Sequence, residues 1–519
     1  MAKITCYDGV GCIGGNKILL EDDSSKLFLD FGLNFGRMGK FYEEYLQPKT
    51  CLGLYEPIQM GLLPPIRDLY RPDLICDLAN PWNGIEAQEI GKVDGVLVSH
   101  AHMDHIGAIP YIRQDIPIFS SAMSLAIAKA TQDTGTGSNT HYCYTSPFEV
   151  SDTGELKSAP HGKNPSKARP FKFVGESPST ALAEFWGMTP SSLSKYGRQH
   201  ETVAIGESAV CGGMKVLRFP VDHSIYGASA WAVETESGWV VYAGDIRCHG
   251  RYGNLTWEFA EAVNKLKPRA LIIEGTRIDN ESTSTEDGVR DRALGEVKKA
   301  KGLVVADFGP RNVERLASFL DIAKQTGRKL LLLPKDAYLL DAMRLAGNGD
   351  VPSLDDNSIL IYNKYEAASS SWKKVIYEKY GGKLVQPSQL AANQDKAVCC
   401  FSFFDVNELA YIKPVAGSIW IYSSCEPFSE DMKMDMAKLN NWLNHCGIAL
   451  LGVTEEGEEE KSPFHVSGHA CRSDLLKVVD IINPQTVIPI HTVKPELYVD
   501  ALQGRCEVLL PERGQPINL

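Results

Sequence analysis

Hydrophobic residues in the first half of the chain come in short runs that end at polar side chains. Two such runs, residues 17–20 and 26–30, flank the polar turn 21–25 and predict a β-hairpin. Later runs of the same kind predict further strands at 93–99, 216–220, 229–234, 239–243 and 270–274. Because side chains at the ends of neighbouring strands share a rigid frame, these polar residues are candidates for a common site.

After residue 300 the pattern changes to alternating strands and helices. Apolar runs predict strands at 302–307 and 329–333, and helix-periodic stretches at 312–325 and 336–346 follow them. This alternation is typical of a parallel sheet with helices on its faces. Further predicted elements of this region are strands at 358–362, 397–401 and 418–422 and an amphipathic helix at 431–445.

The acidic run 455–460 predicts a solvated surface loop and marks a boundary. Beyond it, the pattern predicts a helix at 473–482 and a strand at 486–490 that ends at a histidine. Two stretches, 36–90 and 131–210, are rich in Pro, Gly, Ser and Thr and fit neither pattern. We expect them to be long loops that serve as a lid or a substrate-facing arm.

Composition limits the functional classes. A chain of 519 residues exceeds what one core usually serves and implies two or three domains. No apolar run approaches the length of a membrane span, and the N-terminal residues lack a secretory pattern, so we expect no membrane association and a cytoplasmic location. The net charge of −12 argues against non-specific binding to duplexes but leaves room for a local positive cleft.

Candidate metal ligands begin with a His-x-His-x-Asp-His motif directly after the predicted strand 93–99. His100, His102, Asp104 and His105 offer three imidazoles and a carboxylate within six residues, a mixture that suits Zn²⁺ or Mn²⁺. Buried histidines seldom cluster in this way without a ligand. We expect His100 and His102 to face one ion and Asp104 and His105 to face a second.

Three residues at later strand ends are candidates to complete this two-metal site. His223 follows the strand 216–220 and would complete the first imidazole set, although a lone histidine is as often a structural residue. Asp245 follows the strand 239–243 and would bridge the two ions, while His491 would complete the second ion's ligands.

With these motifs the chain resembles the metallo-β-lactamase fold, in particular its β-CASP nucleic-acid-processing branch and the ribonuclease J family. The residues that carry the resemblance follow the family's order along the chain: Asp30, then His100, His102, Asp104 and His105, then His223, Asp245, Glu274, His469 and His491. The resemblance implies an α/β fold in which an αββα sandwich contains an inserted α/β β-CASP domain with a parallel sheet. The implied boundaries are 1–276 and 462–519 for the sandwich and 277–461 for the insertion.

The resemblance implies a metal-dependent ribonuclease with two divalent ions, Zn²⁺ first and Mn²⁺ as the alternative. A histidine at position 491 resembles the RNA-processing members of the branch, so RNA, in single-stranded form, is the expected partner, and a homo-oligomer is compatible with it. Only 28 residues follow His491, so we expect the chain to lack the family's C-terminal oligomerisation domain.

The resemblance also implies roles for individual residues. Asp245 would bridge the ions, His469 would be the general acid, oriented by Glu274, and Asp30 would position the ligands. The remaining candidates would bind substrate phosphate: His465, Ser467 and Gly468 in the Ser-Gly-His segment, and Ser423 and Ser424 in a looser match. Four arginines are candidates to line a phosphate channel: Arg247, Arg251, Arg277 and Arg311.

Two other functions remain open from the sequence. A metallo-β-lactamase-fold hydrolase of a small-molecule ester or thioester would use the same metal ligands, but it would give the inserted domain, His469 and Glu274 no obvious task. A catalytically silent scaffold that binds RNA or protein would not need the full ligand set.

Overall fold

The computed structural model describes residues 1–519 apart from residues 24, 44, 136–140, 160–164, 190–204, 282–283, 348–349, 367–368, 426–429 and 454–461. The predicted acidic loop 455–460 lies outside the described residues. The chain divides into two units. The first unit comprises Met1–Cys248, Tyr252–Ser282 and His469–Leu519, and the second comprises His249–Arg251 and Thr283–Gly468. The domain boundaries after residues 276 and 461 stay predictions.

The described strands of the chain are, in order, β1 Lys3–Asp8, β2 Lys17–Asp22, β3 Ser25–Phe31, β4 Gly95–Leu97, β5 Ile118–Ser120, β6 Tyr144–Thr145, β7 Phe148–Val150, β8 Leu156–Ser158, β9 Lys167–Ala168, β10 Phe171–Phe173, β11 Gly206–Glu207, β12 Val210–Cys211, β13 Met214–Pro220, β14 Ser229–Thr235, β15 Gly238–Tyr242, β16 Ala270–Glu274, β17 Val304–Asp307, β18 Lys329–Leu332, β19 Ile359–Tyr362, β20 Leu384–Val385, β21 Ala397–Cys400, β22 Ile419–Tyr422, β23 Ala449–Leu451, β24 Thr486–Ile490, β25 Glu507–Val508 and β26 Pro516–Asn518.

The described α-helices are α1 Phe35–Met38, α2 Tyr55–Gln59, α3 Met103–Ile106, α4 Ala122–Thr134, α5 Thr180–Gly187, α6 Gly253–Asn264, α7 Glu286–Lys299, α8 Val313–Gln325, α9 Pro334–Leu345, α10 Ser371–Tyr380, α11 Pro387–Ala391, α12 Leu409–Ile412, α13 Glu430–Cys446, α14 Arg472–Ile482 and α15 Glu496–Leu502. None of the helices in the described part of the chain combines the length and hydrophobicity needed to cross a bilayer.

Two mixed sheets form the first unit. One sheet has the strand order β11-β10-β5-β4-β3-β2-β1-β26, and the other has the order β12-β13-β14-β15-β16-β24-β25. The predicted hairpin is present as β2 and β3, which pair antiparallel from Asp22 and Ser25 outward. In both sheets, antiparallel strands at one side give way to parallel strands at the other.

The two sheets of the first unit pack face to face around one apolar core. The core contains side chains from both sheets, including Ile4, Leu20, Leu29 and Leu97 from the first and Val216, Trp231, Val240, Ile272 and Ile488 from the second. Helices α6 and α14 cover the other face of the second sheet through Phe259, Val263, Leu475, Val478 and Val479. The α/β fold class predicted from the sequence, a β-sandwich with flanking helices, is confirmed.

One parallel sheet organises the second unit. Its strand order is β20-β19-β18-β21-β17-β22-β23, and each neighbouring pair is parallel. Parallel strands need crossover connections, and helices α8 and α9 supply two of them. The alternating pattern therefore predicted both the sheet and its parallel arrangement correctly.

The two long segments predicted as loops contain more structure than expected. In segment 36–90 the described helices are short, as in α2. Segment 131–210, by contrast, contributes β10, which pairs parallel with β5, and β11, which pairs with β10. Strands of two or three residues carry too little periodicity to be recognised, so only the pairing partner in the tertiary structure reveals them.

A buried carboxyl group in the second unit makes stability depend on pH. Asp307 ends β17, is 5% exposed, and accepts a hydrogen bond of 3.1 Å from Trp420 Nε1. Burial raises the pKa of Asp307 to about 7, the charge of Asp405 adds to the rise, and the Trp420 hydrogen bond opposes it. The folded protein therefore holds a proton that the unfolded chain releases above pH 4, so unfolding free energy falls as the pH rises from about 4 to 7.

We expect Asp307→Asn to remove this loss of stability at high pH, because the amide does not ionise. Its oxygen can still accept the Trp420 hydrogen bond. The variant should be more stable than the native protein by on the order of 2 kcal/mol at pH 8, with a smaller difference at pH 5. Thermal melts from pH 5 to 8 measure this. Asp500→Asn, the same change at an exposed position of α15, is the control. A melting difference that does not vary with pH would contradict the assignment.

Candidate metal centre

The ends of five strands in the first unit bring the predicted metal ligands and their neighbours together. The residues concerned stand at or just after β3, β4, β15, β16 and β24: Asp30, His100, Asp245, Glu274 and His491. The short helix α3 carries Asp104 and His105, while His102 directly precedes it. All of the predicted metal ligands belong to this unit, and the structure places their side chains in two adjoining groups.

The first group consists of three imidazoles. The ligand atoms of His100, His102 and His223 lie within 4.8 Å of one another. His102 Nδ1 is 3.0 Å from His100 Nε2 and 3.2 Å from His223 Nε2. Burial is the main cause that lowers the pKa of His100 and of His223 well below the usual value. Neutral imidazoles whose nitrogens converge in this way offer lone pairs to a cation.

The second group adds carboxylates. Asp104, His105, Asp245 and His491 also have ligand atoms within 4.8 Å of one another. Asp245 Oδ2 is 3.1 Å from His105 Nε2 and 3.7 Å from His491 Nε2, and His491 Nε2 is 3.3 Å from Asp104 Oδ2. The same Asp245 oxygen lies 3.8 Å from the ring nitrogens of His100 and His223 in the first group. Asp245 therefore stands between the two groups.

The chemistry of this donor set fits divalent cations. Asp245 is 2% exposed, and its second oxygen, Oδ1, is buried without a hydrogen-bond partner, an arrangement that costs free energy unless positive charge compensates it. Burial would raise the pKa of Asp245, but the charges of His105 and His491 lower it well below the usual value. Imidazole nitrogens and carboxylate oxygens are the ligands that Zn²⁺ and Mn²⁺ accept. The chain thus has a divalent-metal site.

Asp30 supports the second group from behind. It is fully buried and accepts hydrogen bonds from the Ser99 backbone N–H at 2.6 Å, the Ser99 hydroxyl at 2.7 Å and the Tyr242 hydroxyl. His105 Nδ1 lies 2.7 Å from Asp30 Oδ2 and donates to it, which leaves Nε2, 3.1 Å from Asp245 Oδ2, as the ring atom available to a metal ion. Burial would lower the pKa of His105, but the charges of Asp245, Asp104 and Asp30 raise it well above the usual value.

The backbone near the ligands is unusually close and strained. A Cβ at Gly32 would lie 1.6 Å from the backbone oxygen of Asp104, and one at Gly14 would lie 2.8 Å from the Asp104 carboxylate. Asp30 and His491 adopt positive φ angles of 57° and 51°. Such conformations cost about 1 kcal/mol or more in a non-glycine residue, and surrounding contacts must enforce them.

Two supporting residues were not recognised in the sequence. Thr276 Oγ1 is 2.8 Å from His491 Nδ1, which fixes the orientation of that ring. Arg247 was a candidate for a phosphate channel, but it is fully buried and donates to both oxygens of Asp222 at 2.9 and 3.0 Å and to His223 O at 3.2 Å. Burial and pairing rule out a channel role for Arg247. No local pattern distinguishes either residue from an ordinary threonine or arginine.

His469 and Glu274 form a pair beside the second group. His469 Nδ1 is 3.0 Å from both carboxylate oxygens of Glu274, and the same oxygens accept hydrogen bonds from the backbone N–H groups of Ile246 and Thr276. Because Glu274 is a pure acceptor here, Nδ1 of His469 carries a proton and Nε2 is the atom left for other partners. Burial would lower the pKa of His469, but the charge and hydrogen bond of Glu274, with the charge of Asp245, raise it to about 9.

The predicted substrate-binding residues belong to the second unit, where His465, Ser467 and Gly468 lie on one loop. Ser423 and Ser424 follow β22. The Ser423 side chain is 2% exposed, and its hydroxyl donates to Phe464 O at 2.6 Å. Since a hydroxyl has one proton, this geometry argues against Ser423 as a donor to substrate phosphate. Ser424 is half-buried, and its hydroxyl lies 3.4 Å from Asp307 O.

Comparison with known families agrees with this geometry. A model described as the metallo-beta-lactamase superfamily matches residues 77–119, and one described as a Zn-dependent metallo-hydrolase RNA specificity domain matches residues 460–501. Ribonuclease J 2 of Streptococcus pyogenes is 22% identical over 98% of this chain and 73% of the relative. Ribonuclease J of Helicobacter pylori is 20% identical over 94% of this chain and 56% of the relative.

The chain is similar to ribonuclease J and, in these two segments, to the metallo-β-lactamase superfamily. The matched segments of this ribonuclease J-like chain carry the site, since 77–119 contains the motif from His100 to His105 and 460–501 contains His469 and His491. The chain spans between about half and three quarters of the length of these two curated relatives. A crystal structure of a protein of unknown function from Enterococcus faecalis matches over the full length of both chains, with a TM-score of 0.66 and 22% identity, and supports the fold.

We expect Asp30→Asn to weaken metal binding by the ribonuclease J-like chain ten- to a hundredfold, because an amide cannot hold His105 in the tautomer that a carboxylate enforces. Competition with a chromophoric chelator measures the affinity. The control is Asp22→Asn, a buried carboxylate on β2 of the same sheet that accepts a hydrogen bond from Glu236 N. A folded Asp30→Asn protein with native metal affinity would show that Asp30 has no part in holding the ligands.

Proposed function

We propose that the chain is a metal-dependent ribonuclease that hydrolyses phosphodiester bonds of single-stranded RNA with two divalent ions, Zn²⁺ in the first place and Mn²⁺ as the alternative. His100, His102 and His223 would hold one ion and Asp104, His105 and His491 the other, with Asp245 shared between them. The position of Asp245 Oδ2, within 3.8 Å of ring nitrogens from both groups, is the observation that carries this proposal. The match to an RNA specificity domain over residues 460–501 supports RNA as the substrate.

When bound, the ions would supply Lewis-acid stabilisation of charge on the phosphate and activation of the attacking water. The protein's own contribution is to hold the ligands without reorganisation. Asp30 fixes the tautomer of His105 through its 2.7 Å hydrogen bond, and the Thr276 hydroxyl, 2.8 Å from Nδ1, orients the ring of His491. Ligand rings held in this way keep their lone pairs directed into the site.

His469 is the proposed general acid for the leaving 3′-oxygen. Glu274 holds its Nδ1 proton through contacts of 3.0 Å, which leaves Nε2 to deliver a proton. The His469 side chain is 20% exposed, whereas Glu274 is fully buried, so the imidazole can reach a substrate while its partner stays fixed. In the second unit, His465, Ser467 and the Gly468 N–H would bind substrate phosphate, with Ser424 as a further candidate.

The decisive experiment is hydrolysis of 5′-monophosphorylated single-stranded RNA and of matched DNA by the metal-loaded protein. We expect loss of the RNA, no comparable loss of the DNA, and abolition of activity by chelation. Asp245→Ala should reduce the rate by several orders of magnitude, because it removes the carboxylate shared by both ligand groups. Asp500→Ala, at an exposed position, should leave the rate unchanged.

Failure of a metal-loaded protein to degrade any RNA would overturn the proposed function. Hydrolysis of small esters or thioesters by the same preparation would then favour a small-molecule hydrolase. The sizes of the RNA products, mononucleotides or longer fragments, distinguish exonuclease from endonuclease action.

The role of His469 predicts a dependence on the leaving group. His469→Ala should lower kcat on RNA about a hundredfold or more, because the 3′-oxygen needs a proton as it departs. Hydrolysis of bis(p-nitrophenyl) phosphate should fall much less, since p-nitrophenolate leaves without protonation. His445→Ala, at an exposed position of α13, is the matched control. Equal losses on both substrates at unchanged metal content would rule out the general-acid role.

A further inference from the structure

The loop that carries the proposed phosphate-binding residues is held through its backbone by three basic side chains. We call residues 462–468 the phosphate loop. Phe464 O accepts a hydrogen bond from Arg315 Nη1 at 2.9 Å, Pro463 O accepts one from Arg292 Nε at 2.5 Å, and Ser467 O lies 3.0 Å from His249 Nε2. All of these residues belong to the second unit. None of the three basic residues stands near the loop in sequence.

Arg315 makes the most contacts of the three. It lies in the first turn of α8 and is fully buried. Its Nε and Nη2 atoms donate to the two oxygens of Glu286 at 2.9 and 3.0 Å, and Nη1 donates to Ser423 O at 2.8 Å as well as to Phe464 O. Ser423 joins the same network, because its hydroxyl accepts from Arg315 and donates to Phe464 O.

The geometry of this network depends on the guanidinium. The two parallel hydrogen bonds to Glu286 orient the planar guanidinium, and this fixes the direction in which Nη1 points toward the loop. A lysine ammonium is compact and lacks this planar arrangement of donors, so it cannot bind both oxygens of Glu286 and the two carbonyl oxygens at the same time. Since a buried charge is costly unless it is fully paired, the loop carbonyl is one of the partners that make this arginine stable in the folded state.

We propose that Arg315 is a positioning residue for RNA binding: through Phe464 and Ser423 it fixes the backbone of the phosphate loop, and thereby sets where His465 and Ser467 meet substrate phosphate. This inference rests on the proposed function for its substrate and on the hydrogen bonds above for its mechanism. It also gives Ser423 a task that its burial allows, as a link between the end of β22 and the loop.

If Arg315 had only a structural role, its substitution would lower the stability of the protein without a specific effect on hydrogen exchange in the phosphate loop or on RNA affinity. Arg328 provides the matched control for this distinction. It is a buried arginine of the same sheet, 6% exposed, and it donates to Gly302 O, Ala300 O and Ala397 O at 2.8, 2.8 and 3.0 Å. These carbonyls lie at the N-terminal ends of β17 and β21, whereas Ser423 follows the C-terminal end of β22. Arg328 therefore binds at the opposite end of the strands from Ser423.

The experiment compares Arg315→Lys, Ser423→Ala and Arg328→Lys in the full-length, metal-loaded protein. Ser423→Ala is the milder variant and tests the network if Arg315→Lys does not fold. Hydrogen–deuterium exchange reports the protection of peptides that cover 462–468. Fluorescence anisotropy reports the affinity for single-stranded RNA in an Asp245→Ala background, and steady-state kinetics with Asp245 present separates KM from kcat.

We expect Arg315→Lys to speed exchange in the phosphate loop and to raise the Kd and KM for RNA on the order of tenfold or more, with kcat within about twofold of native. Ser423→Ala should do the same to a smaller extent. Arg328→Lys should lower the melting temperature without either effect.

Unchanged exchange in the phosphate loop of a folded Arg315→Lys protein would overturn the proposal. Faster exchange in Arg315→Lys together with native RNA affinity would overturn the claim that Arg315 positions the loop for RNA. That claim would also fail if Arg328→Lys changed loop exchange and RNA affinity as much as Arg315→Lys does. If the native protein neither binds nor degrades RNA, the proposed function itself fails, and the RNA-positioning role of Arg315 fails with it. The exchange data still report separately whether Arg315 holds the loop.

Discussion

The site in the first unit depends on a single buried carboxylate. Asp245 Oδ2 lies within 3.8 Å of ring nitrogens from two groups of histidines, and the second oxygen of Asp245 has no hydrogen-bond partner. Burial of so many polar groups is costly unless cations and a fixed hydrogen-bond network compensate it. The candidate ligands and the residues that support them therefore form one arrangement suited to binding divalent metal.

The fixed network is built from strand ends. Asp30 lies next to the end of β3 and Glu274 ends β16, two strands of different sheets, and each orients an imidazole at its Nδ1: Asp30 acts on His105 and Glu274 on His469. The same kind of hydrogen bond therefore orients a proposed metal ligand and the proposed proton donor. Positive φ angles at Asp30 and His491 show that the backbone is bent to reach these positions, and the sandwich core supplies the rigidity that maintains them.

In the second unit, a buried side chain likewise fixes its neighbours, but the groups that it holds are backbone carbonyls instead of imidazoles. Arg315 and Glu286 form a buried pair, and the remaining donors of the arginine hold Ser423 and Phe464. In both units, a buried residue fixes the position of a group with a proposed role: Glu274 acts directly on His469, and Arg315 acts on His465 and Ser467 through the backbone of residues 462–468. Catalytic groups placed by packed, fully hydrogen-bonded neighbours lose little free energy to reorganisation during a reaction.

The sequence by itself predicted the candidate metal ligands and the parallel sheet, because ligand chemistry restricts residue types at short spacing, as from His100 to His105, and alternating periodicity is typical of a parallel sheet. Only the tertiary structure decided the supporting network. Tyr242 reaches Asp30 across 212 positions and Arg315 reaches Phe464 across 149, so neither leaves a local pattern. The same holds for Ser423, whose residue type suggested phosphate binding, whereas its burial commits its one proton to Phe464 O. Residue type and local spacing limit the interactions that a side chain can make, and long-range packing decides which partner it contacts.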